Sequence, residues 1–391
     1  MAKLSVVVGG QLGSEGKGAV TAYLSSREQN QRNDTQGNQG NQYDVIAVRV
    51  AGPNAGHTVI GRCPPSCTSQ DELDHHPMNH PWRLRSVPVA AVSNPDAQLI
   101  IAAGSEIEPE VLREEIDELD AAGYDASRRL IIDVHATILE DKHKQLEQAI
   151  GLTERLGSTA KGIGAARSAR VMRDAVLVRN TPNGFLPGDR IDTAQYLQSM
   201  LNDPNTHILI EGTQGYGLGL HTQFYPYTTS SDCRAIDFLA MAGISPWVRD
   251  DVDFRVWVVF RTSPIRVAGN SGPLEGETTW EQLGQTPELT TVTKKVRRVG
   301  SWDPLLARKA VRANGGGSYL EEDGPIHVAL TMVDYEIPGV KGMDSGTGYS
   351  MSPQDNADLD LLIKRREADL RAPVMLIGTG PDSIIDLRIE D

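Results

Sequence analysis

Two glycine-rich stretches carry residues suited to chemistry. The first is Gly9-Gly10-Gln11-Leu12-Gly13-Ser14-Glu15-Gly16-Lys17-Gly18. Glycines let backbone N–H groups turn toward an anion, a following helix N-terminus adds partial positive charge, and Lys17 adds a full one. The standard P-loop pattern fails twice: its first glycine falls at Gln11 and its Ser/Thr at Gly18. The phosphate loop is therefore of another kind. The second stretch is Asn54-Ala55-Gly56-His57-Thr58. An imidazole titrates near neutrality and can pass a proton to an oxygen that gains charge. Further along, Ser158-Thr159-Ala160-Lys161-Gly162-Ile163-Gly164 gathers hydroxyls, a cation and glycine N–H groups, which are the groups a phosphate needs. Gln214 in Glu211-Gly212-Thr213-Gln214-Gly215 carries an amide that both donates and accepts. Thr291-Val292-Thr293-Lys294-Lys295-Val296-Arg297-Arg298 places four cations together.

Hydrophobic periodicity shows what positions these groups. Val6-Val7-Val8 leads into the first loop, and a helix-compatible run, Ala19 to Ser26, follows. Val45–Val50 reads as a buried strand ending in the His57 loop. Leu84–Val92 reads as a returning strand, Leu99–Gly104 and Leu130–Val134 as buried strands, and Glu110–Ala122 as an amphipathic helix with Val111, Leu112, Ile116 and Leu119 on one face. Lys142–Leu156 reads as helical. His207–Gly212, Arg255–Phe260, Val328–Val333 and Val374–Gly378 supply later strands. Such alternation predicts an α/β fold with a large, mainly parallel central sheet flanked by helices. In such sheets ligands gather at the carboxyl ends of the strands, so the glycine loops should face one crevice. No linker is evident. Residues 1–391 read as a single elaborated α/β domain, with polar insertions near 29–42 and 62–82.

The totals exclude several classes. At 391 residues the chain can bury a large core. A net charge of −14 argues against general affinity for nucleic acid or an anionic membrane. No apolar run reaches membrane-spanning length and no signal-peptide core is present. Three cysteines, Cys63, Cys67 and Cys233, are too few for a disulfide framework and suggest a reducing, cytoplasmic setting. Cys63, Cys67, His75, His76 and His80 offer zinc-ligand chemistry, but their spacing matches no strong zinc pattern.

These separated motifs, running nearly end to end, resemble those of adenylosuccinate synthetases. Those enzymes join aspartate to C6 of a purine nucleotide with a nucleoside triphosphate as phosphate donor. Gly13-Ser14-Glu15-Gly16-Lys17-Gly18 is similar to the family's GDEGKG, with Ser14 where the family has its aspartate base. The resemblance implies catalytic roles for the position of Ser14, for Lys17 and for His57 as general acid. It implies Mg²⁺ as cofactor, held in part by the Gly56 carbonyl. Donor-nucleotide binding is implied for Gly13, Glu15, Gly16, Lys17, Gly18, Gly56, His57 and Thr58, with Asp334, Gly378, Gly380 and Pro381 at the base pocket. There Met332 stands in place of the family's lysine, which puts GTP in doubt and favours ATP or dATP. Purine monophosphate binding is implied for Ser14, Asn54, Ser158, Thr159, Gln214 and Thr229, the last in Tyr225-Pro226-Tyr227-Thr228-Thr229-Ser230-Ser231. Arg173 falls where the family reaches the neighbouring subunit's monophosphate, which implies a homodimer. Thr293, Lys295 and Arg297 fall in the loop that grips aspartate.

Three functions follow from the resemblance. The first is the branch known from certain bacteriophages, which acts on dGMP and makes 2-amino-2′-deoxy-N6-succinyladenylate. The second is an ordinary adenylosuccinate synthetase using IMP and GTP. The third is an inactive nucleotide-binding relative. Ser14 favours the first: a serine is a poor base, but beside N1 it leaves room for the 2-amino group of guanine and can accept from it.

Overall fold

The computed structural model describes residues 1–33, 44–65, 79–245, 247, 251–290, 295–317, 324–346 and 350–388. Its centre is a ten-stranded sheet. We number these strands β1 (Ala2–Gly9), β2 (Asp44–Arg49), β3 (Gln98–Ile101), β4 (Leu130–Asp133), β5 (Asp189–Ile191), β6 (Thr206–Glu211), β7 (Val252–Arg261), β8 (Ile326–Thr331), β9 (Val374–Gly378) and β10 (Ile384–Asp386). Their order across the sheet is β10-β9-β8-β7-β1-β6-β2-β3-β4-β5. Every neighbouring pair is parallel except β9 with β10.

The β-branched runs form strands because both faces of the sheet are covered. On β1, Leu4, Val6 and Val8 join one core and Val7 the other. The first core takes in Phe238 and Leu239 of helix Ala235–Ala242, Ala310 and Val311 of helix Pro304–Ala313, and Leu359 and Leu362 of helix Pro353–Leu370. The second takes in Val20 and Leu24 of helix Lys17–Asn33. A third core beneath β2, β3 and β4 receives Leu112, Ile116 and Leu119 of helix Pro109–Ala121. A strand buried on both sides needs no polar alternation, so its sequence is a continuous apolar run.

Three local readings differ from this architecture. The helix after the first loop runs to Asn33, beyond the start of the expected insertion at 29; the rest of that insertion lies outside the described residues, as do 66–78 of the second. Of residues 84–92 only Leu84 is in a strand. His57–Gly61 and His80–Leu84 form an antiparallel hairpin, and the chain then turns into helix Ala90–Ser93. The reason is Glu115, whose buried carboxylate accepts from the N–H groups of Arg85, Ser86 and Val87 at 2.6, 2.9 and 3.1 Å. Backbone donors satisfied by a side chain are not available to a ladder. The expected helix 142–156 is two, Asp141–Ala149 and Leu152–Leu156, separated at Gly151 with φ +64°.

The carboxyl ends of six parallel strands, at Gly9, Arg49, Glu211, Arg261, Thr331 and Gly378, each open into a motif singled out above or a neighbour of one. The motifs are far apart in sequence, and the sheet brings them to one edge.

Candidate active site

The loop after β1 folds around a carboxylate. Glu15 is fully buried and accepts from the N–H groups of Gln11 at 3.2 Å and Gly13 at 2.7 Å. Lys17, 3 % exposed, lies 2.6 Å from its other oxygen. Thr331 at the end of β8 donates its hydroxyl to the Glu15 carbonyl at 2.7 Å, and Gln11 exchanges two 3.0 Å hydrogen bonds with the Arg261 backbone at the end of β7. Ser14 is exposed at the loop's rim in a left-handed conformation, φ +57°. A side chain at Gly18 would place its Cβ 2.6 Å from the Thr58 carbonyl and 3.0 Å from the His57 Cβ. The two glycine loops therefore touch, and glycine permits the contact. Gly215 does the same on the other flank, where a Cβ would fall 2.7 Å from the Gln11 carbonyl.

His57 is buried, and both of its contacts fall on Nδ1: one to Glu211 Oε1 and one to Arg49 Nη1 at 2.6 Å. Arg49 also reaches Glu211 Oε1 and donates to the Ala55 carbonyl at 2.9 Å, while Glu211 Oε2 accepts from the Val89 N–H at 2.9 Å. An ionised carboxylate oxygen can accept from two donors, so we assign Nδ1–H and Nη1–H both to Glu211. The opposite assignment would set the Nδ1 lone pair against the carboxylate. Burial, and then the Arg49 charge, push the His57 pKa down to about 4, outweighing Glu211, while Arg49 and His57 hold the Glu211 carboxyl below its usual range against its burial. The ring is thus neutral at pH 7, unlike the near-neutral titration expected of an exposed imidazole. Negative charge brought beside it raises that value.

A cavity of about 650 Å³ opens next to these loops. Asn54, Ser158, Thr159, Gln214 and Thr229 all line it, together with Lys161, Arg167 and Tyr227. Arg167 is anchored by Glu106 at 2.7 Å. The N–H groups of Gly162 and Gly164, expected to serve a phosphate, are occupied: Glu147 accepts from them at 2.7 and 2.8 Å. An anion in this cavity therefore turns to the side chains of the lining, its hydroxyls, amides and cations. Arg173 is exposed at the C-terminus of helix Ile163–Met172 and does not line the cavity.

On the other side of the first loop, Gly16 and Gly378 both pack on Thr331, with Cβ positions 3.2 Å from it. Met332 follows with φ +55°, and Asp334 sits half-buried in the short helix Val333–Tyr335, its carboxyl pushed up by burial. Gly380 is half-buried and Pro381 exposed beyond β9. Buried Arg261 pairs with Glu288 at 2.5 Å and donates to the Ser14 carbonyl at 3.3 Å. Glu288 in turn meets Arg297 at 3.5 Å, which ties the basic stretch to the first loop. Lys295 is exposed. Thr293, and likewise Cys67, His75 and His76, lie outside the described residues.

Sequence reasoning missed Arg49, Glu211, Glu147, Arg261 and Glu288 as parts of this site. The available signal was a charged residue closing an otherwise apolar strand: Arg49, Glu211 and Arg261 are each the last residue of a buried strand, and a charge rarely goes there without a partner.

For Mg²⁺ the loops offer a neutral oxygen, the Gly56 carbonyl, because Glu15 is engaged by Lys17 and two N–H groups. That donor set fits a cation held mainly by nucleotide phosphates and water, which is the usual manner of Mg²⁺. Among the described residues Asp133, His135 and Asp192 also cluster. Asp133, however, accepts from the Thr193 N–H and hydroxyl at 2.8 and 2.6 Å and from the His135 N–H at 2.7 Å, a helix-capping arrangement.

Comparisons with known proteins point to one family. The adenylosuccinate synthetase family profile matches residues 6–184 and 186–321. An adenylosuccinate synthetase of Pyrococcus horikoshii is 33 % identical over 388 residues, covering 98 % of both chains. That of Methanocaldococcus jannaschii is 33 % identical over 393 residues, covering 99 % of this chain and 97 % of the other. Among solved structures, the cyanophage S-2L succinoaminodeoxyadenylate synthetase, bound to dGMP and to dATP as energy donor, superposes with a TM-score of 0.73 at 27 % identity, covering 99 % of this chain and 96 % of that one. The fully ligated adenylosuccinate synthetase of Plasmodium falciparum shares the fold, with a TM-score of 0.71 at 20 % identity over 98 % and 99 % of the two chains. No helix among the described residues is long and apolar enough to cross a membrane.

Proposed function

We propose, from the premise that this chain belongs to the adenylosuccinate synthetase family, that it joins L-aspartate to C6 of dGMP at the expense of a nucleoside triphosphate, giving 2-amino-2′-deoxy-N6-succinyladenylate. The observation that carries the proposal is Ser14. The family's base is replaced, and the replacement stands at the exposed rim of the loop, while Lys17, His57, Gln214 and Thr229 remain. The structural likeness to a phage enzyme solved with dGMP supports it.

The chemistry has two steps. The γ-phosphoryl passes from the donor to O6 as the bond to the bridging oxygen breaks, and the guanine N1 proton goes to water or to a carboxylate of the bound aspartate, because Ser14 is a poor base. The aspartate amine then attacks C6, and phosphate leaves with O6. Such transfer is catalysed mainly by positioning and charge. Lys17 steadies the phosphoryl oxygens. His57 gives a proton to the oxygen that gains charge. A neutral buried ring must first be protonated for this, and the phosphates of the bound nucleotides supply the negative charge that favours it. Asn54, Ser158, Thr159, Thr229 and Lys161 hold the monophosphate, and Gln214 meets the base. Gly56 would contribute its carbonyl oxygen to Mg²⁺, which would neutralise phosphate charge when bound. Lys295, Arg297 and Thr293 take the aspartate carboxylates. Arg173 completes the monophosphate site of a second copy in a homodimer, consistent with its exposure outside its own cavity.

For the donor we favour ATP or dATP. Met332 supplies no charged contact to guanine, and a 6-amino group can donate to Asp334.

A second reading, IMP with GTP, is favoured by the 33 % identity to archaeal adenylosuccinate synthetases. The two are separated by incubating the protein with aspartate, Mg²⁺ and each of dGMP, GMP and IMP, with ATP, dATP or GTP, and resolving products by mass spectrometry. The succinylated dGMP product should dominate. Faster turnover of IMP overturns the proposal in favour of the second reading, and no product with any purine favours an inactive relative.

A further inference from the structure

Arg49 and Glu211 are the last residues of β2 and β6, and they face one another across the parallel ladder. Both are fully buried. A buried ion pair is a poor source of stability, since an apolar pair of similar size often serves as well or better. Here both oxygens of the carboxylate are engaged. Oε2 takes the Val89 N–H at 2.9 Å, and Oε1 takes Arg49 and His57 Nδ1. Arg49 reaches on to the Ala55 carbonyl at 2.9 Å, two residues before His57. One side chain therefore grips the ring and the other grips the loop that carries it. Nδ1 receives both contacts of the imidazole, and Nε2 makes none among the described residues.

We propose that Glu211 is the positioning residue for His57: its carboxylate accepts the Nδ1–H and, anchored by Arg49, leaves Nε2 as the nitrogen that meets the transferred phosphoryl group. The inference rests on the reading of His57 as general acid. In that step the Nε2–H bond breaks and an O–H bond forms on the bridging oxygen. The ring is left with its proton on Nδ1, which is the tautomer Glu211 accepts from. A base or acid oriented by a third group is a recurrent arrangement in catalysis, and loss of the orienting group depresses turnover more than binding.

The test is a double-mutant cycle on the full chain with Glu211→Gln, His57→Asn and the pair, measuring kcat and the KM of each substrate, with thermal unfolding as a check on folding. His57→Asn should lower kcat by about a hundredfold, and Glu211→Gln should lower it by about tenfold or more, with each KM changed by less than about threefold. The double variant should be no slower than His57→Asn alone, because Glu211 acts through the ring. Full additivity, or normal kcat in folded Glu211→Gln, overturns the positioning role. If His57→Asn alone keeps normal kcat, the acid reading fails instead. ¹⁵N spectra of histidine-labelled wild-type protein, with the His57 signal identified by its loss in His57→Asn, test the geometry without any variant at Glu211. A proton on Nδ1 supports the proposal, and the Nε2–H tautomer overturns it even if Glu211→Gln does not fold.

Discussion

At the scale of single residues, the proposed function makes Ser14 the residue that governs which purine is accepted. A hydroxyl neither abstracts the N1 proton well nor carries charge, but it is small and can accept from an amine. A pocket built to pair a 2-amino group discriminates against a base that lacks one, because its own polar atom is left unsatisfied. Ser14→Asp should therefore reduce kcat/KM for dGMP by about tenfold or more, with IMP losing less or gaining, as read in paired steady-state assays. Equal losses for both purines would detach Ser14 from selectivity. Glu15 makes a separate point at this scale. Its carboxylate holds two loop N–H groups and Lys17, so the loop is shaped by an internal anion, and the sequence pattern of a phosphate cradle does not reveal it.

At the scale of elements, the turn from the His57 hairpin into helix Ala90–Ser93 depends on Glu115. Three N–H groups converge on that carboxylate, reached from helix Pro109–Ala121. Burial pushes the Glu115 carboxyl up, while those three hydrogen bonds and Arg85 oppose it. Glu115→Ala leaves several buried donors without partners and should destabilise the protein by roughly 2–4 kcal/mol in urea titration. An unchanged midpoint would mean that water replaces the carboxylate there. The contact between the two glycine loops is a second prediction of this kind. Gly18→Ala puts a methyl group 2.6 Å from the Thr58 carbonyl, a distance real contacts do not reach, so one loop must move. Turnover should fall by about tenfold or more while the far-UV dichroism stays that of the wild type.

At the scale of the whole molecule, assembly and pH response can be tested. If Arg173 serves a second copy, Arg173→Ala should raise the KM for the purine nucleotide by about tenfold with the Tm unchanged. A fully active monomer in sedimentation would remove the shared site. For pH, the relevant group outside the site is His327. It is buried on β8 against the ring of Trp257, and its pKa is pushed down to about 4 by burial, then by Arg255 and Arg388. Its folded value lies below the unfolded 6.5, so the unfolded chain binds more protons across that interval. The contribution is therefore present above about pH 6.5 and is lost as pH falls toward 4. Between pH 7 and 4 the wild type should lose more Tm than His327→Gln does. Parallel curves would show that His327 is not a source of the acid sensitivity.

What the amino-acid sequence determined by itself was the class of fold and the chemistry of the loops. Apolar runs of strand length alternating with helical patterns admit little but a parallel sheet covered on both faces, because period and burial are local properties. Glycine spacing with Lys17 in one loop, and glycine with His57 in another, likewise pointed to phosphate chemistry, since each set lies within a few residues. What the tertiary structure decided was everything that depends on residues distant in the chain. Glu211 meets His57 across 154 positions, and Arg261 meets the Ser14 carbonyl across 247. Glu147 occupies N–H groups that the loop sequence alone offers to a phosphate. Glu115 turns an apparent strand into a hairpin exit and a helix. The state of His57 belongs here too, because burial and a neighbouring guanidinium set its pKa, and neither is written in the residues beside it. Hydrogen-bond partners and desolvation are set by packing, and packing is complete only when the ten strands have brought their ends together.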